Sequence, residues 1–173
     1  MPQNESLTSE PGSPLCVRLA SNADIPRLIP LINAAFSIET FLEGTRTDDE
    51  RLSAMMRKGA ILAAEDDFGR FLGCVYTEVR PEPSGVRGYL GQLAVDPAYQ
   101  RARLGRLIVQ AAEDYLRRQG CEAVDITVLS LRPELPPIYR RYGYVETGTE
   151  EFKPSRPLVS GAVCHCIVMS KQL

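Results

Sequence analysis

Apolar residues along the chain recur with two periods. Leu104, Leu107, Ile108, Ala111, Ala112, Tyr115 and Leu116 are spaced by three and four, which predicts a core-facing helix within an amphipathic stretch of about eighteen residues that stops at Gly120. A second helix is predicted over 23–36, with Ile25, Leu28, Ile29, Leu31 and Ile32 as its apolar face, Asn22 or Asp24 as its cap and Pro26 in its first turn. Asp48, Asp49 and Glu50 cap and charge the start of a third, which runs to Arg57 or Lys58 and stops at Gly59. A short helix over 137–142 ends at Gly143.

Alternating or β-branched runs predict strands over 16–20, 60–64, 71–79, 88–95, 124–129, 145–152 and 163–169. The second and third form a hairpin across 66–69, and a loop over 81–85 leads to the fourth. These neighbours run antiparallel, whereas the long helix between 88–95 and 124–129 makes that pair a parallel βαβ unit. The sheet is therefore mixed and mostly antiparallel, in an α/β (α+β) fold flanked by helices. No internal repeat is evident.

At 173 residues, 44 % apolar and 24 % charged, the chain suits one domain with a proper core. Residues 1–14 are rich in Ser, Pro, Gly, Glu and Asn and are expected to be a disordered tail, so the domain is taken as 15–173. A net charge of −2 and the lack of a Lys/Arg-rich block argue against nucleic acid, although seventeen arginines against three lysines can still cluster in space. No apolar run approaches the ~20 residues that span a bilayer, and no signal peptide is visible, so a soluble, cytoplasmic protein is expected. Five cysteines with no recurring spacing predict reduced, mostly buried thiols. Cys164-His165-Cys166 lies in a strand-like run and, with no second pair of ligands, closes no zinc site, so no metal is expected.

The chemistry concentrates at 93–105, where an apolar run breaks at Asp96-Pro97 into a turn that opens the long helix. Exposed N–H groups and the positive end of the dipole make that helix start an anion site, and Arg101, Arg103 and Arg106 add full charges. A pyrophosphate-bearing ligand fits. With no Gly-Lys-Ser/Thr and no Gly-x-Gly-x-x-Gly in the chain, ATP does not.

The segment Gln100-Arg101-Ala102-Arg103-Leu104-Gly105, after a strand ending Leu-Ala-Val-Asp-Pro, resembles the cofactor motif of the GNAT superfamily of acyl-CoA-dependent N-acyltransferases, Gln/Arg-x-x-Gly-x-Gly/Ala. Arg103 stands where that pattern has its first glycine, and a Cβ there limits how closely a phosphate and the backbone approach. The resemblance implies the order βααβββαβαββ from Cys16 onward, with acetyl-CoA as acyl donor. It places the main chain of Leu93, Ala94 and Val95 along the donor's pantetheine arm. Residues 100–106 then hold the pyrophosphate. Arg132 stands where the family often has an asparagine, and it either reaches a cofactor phosphate or is simply solvated.

Glu134 to Gly143, followed by Tyr144, is similar to a second motif of that family, which puts Tyr139 opposite the donor sulfur as general acid. Tyr142 and Tyr144 read as packing residues. Where several members carry a general base this chain has Tyr89 and Gly91, neither a good proton acceptor; Glu78, late on the neighbouring strand, is the nearest carboxylate in sequence and the candidate base, with a water chain or an intrinsically less basic amine as equal alternatives. The acceptor is expected between the first two helices, at Phe36, Glu39 and Phe41, with Tyr89 and Gln92 beside it, and the acidic residues Glu39 and Glu43 would suit an amine. The expected reaction is direct acetyl transfer to the primary amine of a small molecule or peptide. The alternatives are a cysteine shuttle, for which the single histidine, His165, is poorly placed, and a non-catalytic acyl-CoA-binding module. Dimerisation stays open, through the apolar C-terminal strand should it lie at an edge.

Overall fold

The computed structural model describes residues 15–100 and 103–173; the tail over 1–14 and the motif residues Arg101 and Ala102 lie outside the described residues. The elements follow the predicted order: β1 (Cys16–Leu19), α1 (Ile25–Ala35), α2 (Asp49–Lys58), β2 (Ala60–Glu65), β3 (Phe71–Glu82), β4 (Gly85–Val95), α3 (Leu104–Arg118), β5 (Ala123–Leu129), α4 (Leu135–Arg141), β6 (Val145–Glu151) and β7 (His165–Gln172). They build one seven-stranded sheet of order β1-β2-β3-β4-β5-β7-β6, in which only β4 and β5 run parallel.

Strand pleating divides the core. Leu62, Ala64, Leu72, Val75 and Leu90 turn to one face and pack with Ile108, Ala112 and Leu116 of α3. Ile61, Ala63, Cys74 and Tyr76 turn to the other and pack with Leu28 and Ile32 of α1 and Leu52 of α2. Central strands covered on both faces bury nearly every side chain, which is why 61–64 reads as continuously apolar. Desolvation raises the buried Cys74 thiol to about 12, so it packs as an inert hydrophobe.

Several boundaries move. The 81–85 loop shrinks to a tight turn because β3 and β4 pair out to Glu82 and Gly85. The long helix runs fifteen residues from Leu104, and the turn that opens at Asp96-Pro97 is a 3-10 turn over Pro97–Tyr99. The short helix begins earlier, at Leu135, and a 3-10 turn over Asn22–Asp24 precedes α1. Gly59 ends α2, but with an extended φ of −146° rather than a left-handed one. Its missing side chain matters for another reason: a Cβ there would lie 2.2 Å from the Thr77 carbonyl oxygen. The C-terminal strand β7 is not an edge, since it is paired by β5 on one side and β6 on the other; the edges of the sheet are β1 and the wholly solvated β6.

The entry to α1 is fixed by Asp24, buried at 6 % exposure, whose carboxylate accepts from the Ser21 N–H at 2.8 Å and from Arg18 at 2.9 and 3.1 Å. The Arg18 hydrogen bond prevails over burial and holds the Asp24 pKa at about 2. A folded pKa below the unfolded one stabilises the protein at pH above the ordinary carboxylate range and is lost as pH falls toward 2. Asp24→Asn is therefore expected to cost about 2 kcal/mol near neutral pH, with the gap to wild type narrowing between pH 4 and 2. Urea unfolding across that range measures it, and a pH-independent gap would contradict the assignment.

Candidate active site

The site begins where two strands part. β4 pairs with β5 only at Arg87, Gly88 and Tyr89, so from Leu90 onward it has no strand partner on that side. A bulge marks the departure: Tyr76 faces Gly91 and Cys74 faces Ala94, which leaves Gln92 and Leu93 together opposite Val75. Gln92 takes the extra position with φ +51°, a left-handed conformation that glycine adopts far more readily. Leu93 and Val95 send their side chains into the α3-side core and Ala94 is fully buried on the other face, so this segment offers the opening its main chain.

The opening runs into the start of α3. Asp96 accepts from the Ala98 N–H at 2.9 Å, and the side chain of Gln100 donates back to the Val95 carbonyl at 3.2 Å. Arg103 precedes the helix at φ +57°, so the arginine adopts the very backbone conformation for which its place in the motif favours glycine. It provides no side-chain cap, and the first N–H groups of the helix, at Leu104, Gly105 and Arg106, have no intrahelical acceptor. Among the described residues a Cβ on Gly105 would meet only Val95 and Tyr142 at 3.8 and 3.9 Å, ordinary contact distances, so their packing does not demand the glycine. Leu104 is buried as an anchor, while Arg103 and Arg106 are exposed beside these amides, which find no acceptor among the described residues. An uncapped helix start with two cations beside it can hold an anion.

α4 sets Tyr139 nearby, 8 % exposed, edge-on to Tyr142 and Tyr144 at 6.0 and 5.6 Å between ring centroids. Tyr144 donates to Glu113 at 2.9 Å, whereas no described residue hydrogen-bonds the Tyr139 hydroxyl. Burial, with Tyr142 and Tyr89 adding and Arg132 opposing, pushes the Tyr139 phenol well above its ordinary range, so it is a proton donor at neutral pH. Tyr89 folds over Gly91, where a Cβ would lie 2.8 Å from its ring, and Arg80 stacks on it at 4.0 Å. Glu78 stands across from Tyr89 on β3 and accepts from the Tyr76 hydroxyl at 2.8 Å and from Arg80 at 3.0 Å. Burial would raise its pKa, but those hydrogen bonds win and lower it. Glu78 is thus an ionised carboxylate in this cluster, and a weaker base than a free one.

The connection between α1 and α2 departs most from expectation. Glu39 and Glu43 are not a free acidic pair: Glu43 is exposed, and Glu39, 5 % exposed, is enclosed by three guanidinium groups. Arg132 reaches it at 3.0 Å, Arg156 at 3.1 Å and Arg46 at 3.3 Å. Arg132 also binds Glu134 at 2.5 Å, so its Nε and Nη1 are each engaged by a carboxylate. Phe36 lies under Arg46 at 4.3 Å. The Phe41 carbonyl accepts from the Val159 N–H at 2.9 Å, Glu43 N–H donates to Pro157 at 2.9 Å, and Leu42 bridges Leu158, so the loop is zipped to the β6–β7 connection. No motif marks Arg46, Arg80 and Arg156, which the fold brings to Glu39 and Tyr89. Arg156 lies 117 positions from Glu39, and no local spacing announces such a pair.

Residues 26–144 match the profile of the acetyltransferase (GNAT) family, and the chain belongs to that family. A mycothiol acetyltransferase of Propionibacterium freudenreichii is 27 % identical over 139 residues, 78 % of this chain and 44 % of that protein. The chain spans about half the length of the curated relatives it matches. Among solved structures, a GNAT-family acetyltransferase from Streptococcus pneumoniae superposes with a TM-score of 0.70 at 19 % identity, covering 92 % of this chain and 99 % of that one. A ribosomal-protein-alanine N-acetyltransferase from Brucella melitensis gives 0.71 at 20 %, covering 91 % and 99 %. At these identities the structural likeness concerns the fold.

Proposed function

We propose that this acetyltransferase-family chain moves an acetyl group from acetyl-CoA to a primary amine by direct attack in a ternary complex. The observation that carries the reading is the continuity of the unpaired β4 segment with the uncapped start of α3. An extended amide-bearing arm can pair with the main chain of Leu93 to Val95, while the diphosphate sits on the N–H groups of Leu104 to Arg106, with Arg103 and Arg106 supplying charge. The room above Gly105 fits a ligand that approaches the backbone closely.

In this reading the amine nitrogen attacks the thioester carbon, the C–S bond breaks, the departing sulfur takes the Tyr139 proton, and the proton that the new amide nitrogen sheds returns to Tyr139 through water. Tyr139 suits the role because it is held protonated and has no competing hydrogen-bond partner among the described residues. The amine must first lose a proton, and Glu78, ionised within the Tyr76–Arg80–Tyr89 cluster, is the acceptor available through the opening or a water. Phe36, Phe41, Tyr89 and Gln92 line the amine side, and Glu39 acts there through its arginines rather than as a free acid.

The acceptor need not be known to test the donor. Acetyl-CoA at one hundred times its dissociation constant should stabilise the fold by about 2.7 kcal/mol and raise the unfolding midpoint by about 5 to 10 °C, with no shift from ATP. Amine-dependent release of free thiol, screened next, would establish transfer. No midpoint rise at millimolar acetyl-CoA would show that Arg103 closes the phosphate site and would end the reading.

A further inference from the structure

On the acceptor side the cations stand in front of the acids. The side chain of Glu39 is 3 % exposed against 27 % for its partner Arg46, and that of Glu78 is 23 % exposed against 44 % for its partner Arg80. Among the described residues Arg46 donates only from Nη1, to Glu39, and Arg80 only from Nε, to Glu78, which leaves most of their N–H donors to a ligand or water. Aromatic rings order both groups, since Arg46 lies over Phe36 at 4.3 Å and Arg80 over Tyr89 at 4.0 Å. The other arginines nearby are engaged by carboxylates: Arg87 by Asp125, Arg51 by Asp48, Arg132 by Glu39 and Glu134, and Arg156 by Glu39. Glu43 is exposed on the same connection and bridges to none of them among the described residues, while Lys58 adds positive charge near Glu78. Tyr89 ties the free donors to the reacting centre. Arg80 and Arg46 both oppose the rise that burial imposes on its phenol, and Tyr89 in turn acts on the Tyr139 phenol, so all four are within electrostatic reach.

We propose that the acceptor is a small primary amine that also carries a carboxylate, held by Arg46 and Arg80, an inference that rests on the acetyl-transfer reading above. A guanidinium edge meets a carboxylate with two parallel N–H donors, and a group already ordered by stacking loses less freedom on binding it. The same field acts on the nucleophile. Positive charge beside an amine disfavours its ammonium form, which supports the neutral nitrogen that attack requires. That matters here because Glu78, tied to Tyr76 and Arg80, is a weakened base. A diamine or larger polycation meets repulsion at the same place, with no exposed carboxylate of these pairs to receive its second charge.

The test is a ladder of ω-amino acids of increasing chain length, glycine the shortest, each matched with its primary amide and with the diamine of equal length, so that only the terminal group changes. Thiol release from acetyl-CoA by wild type should favour the carboxylate over its amide by roughly 10- to 100-fold in kcat/KM at the best length, the size of hydrogen bonds to a charged group, with the diamine lowest. In Arg46→Gln and Arg80→Gln that ratio should fall about tenfold, and Arg46→Lys and Arg80→Lys should recover part of it. The ratio compares two acceptors on one enzyme, so a changed Glu78 or a smaller folded fraction cancels from it. Equal or better use of the amide or the diamine by wild type, or a ratio unchanged in both Gln variants, overturns the proposal and leaves the acetyltransferase reading intact. Thiol release with none of these amines also overturns it, and the unfolding midpoint then separates the two: a rise with acetyl-CoA keeps the acetyltransferase reading, and no rise ends both.

Discussion

Glu39→Ala is expected to destabilise the fold by about 3–5 kcal/mol, lowering the unfolding midpoint by about 6 to 20 °C. The substituted carboxylate is the shared partner of Arg46, Arg132 and Arg156, the last with a side chain only 6 % exposed. Breaking a buried pair by deleting one member strands the other charge, and here three guanidiniums lose it together, with only Glu134 left to Arg132. Burial already lowers the Arg156 pKa and Arg46 and Arg51 repel it, so the surplus positive charge is poorly tolerated even with Glu39 present. The effect should reach the acceptor side, because the same contacts tie the α1–α2 and β6–β7 connections together. Combining Glu39→Ala with Arg156→Met should recover part of the loss, since the most buried stranded cation is then gone. Thermal and urea unfolding measure both, and a single-variant loss below about 1 kcal/mol would mean that water already compensates the cluster.

What the sequence shows and what it hides divide along the same line. Features set by neighbours a few residues apart are legible. The three-four stripe of α3, the turn at Asp96-Pro97 and the left-handed glycines at 120 and 143 each announce an element or its end. Features set by distant approach are not. Gly59 reads as a helix stop, while its necessity comes from Thr77 on another strand. The Glu39 spacing suggests a solvated acid until Arg132 and Arg156 arrive 93 and 117 positions later. Whether the C-terminal run is an edge is not legible, because β6, the strand that pairs its outer side, is itself polar and fully exposed. Gly91 hides its neighbour: a glycine in a strand signals a bulge or a close approach, yet the left-handed residue is Gln92 and Gly91 makes room for the Tyr89 ring.

Tyr139→Phe should lower the rate of thiol release about 100-fold while leaving acetyl-CoA affinity and stability close to wild type. The expected split follows from what the hydroxyl does and does not touch. The ring holds its place through edge contacts with Tyr142 and Tyr144, which phenylalanine preserves, and the hydroxyl has no described partner that its removal would strand. A thiolate leaving group without a proton donor must be expelled as the anion, and that penalty falls on the transition state alone, hence on kcat rather than on binding. Tyr144→Phe is the matched control: its hydroxyl is engaged by Glu113, on the far side of the same aromatic cluster, so its loss should leave turnover unchanged. The pH profile adds an independent sign. Burial holds the Tyr139 phenol above its ordinary range, so the donor stays protonated through neutral and mildly alkaline pH, and the limb it controls is a fall in rate only on the strongly alkaline side. Equal rates for Tyr139→Phe and wild type across that range, with chemistry rate-limiting, would assign the sulfur's proton to water and leave Tyr139 a packing residue.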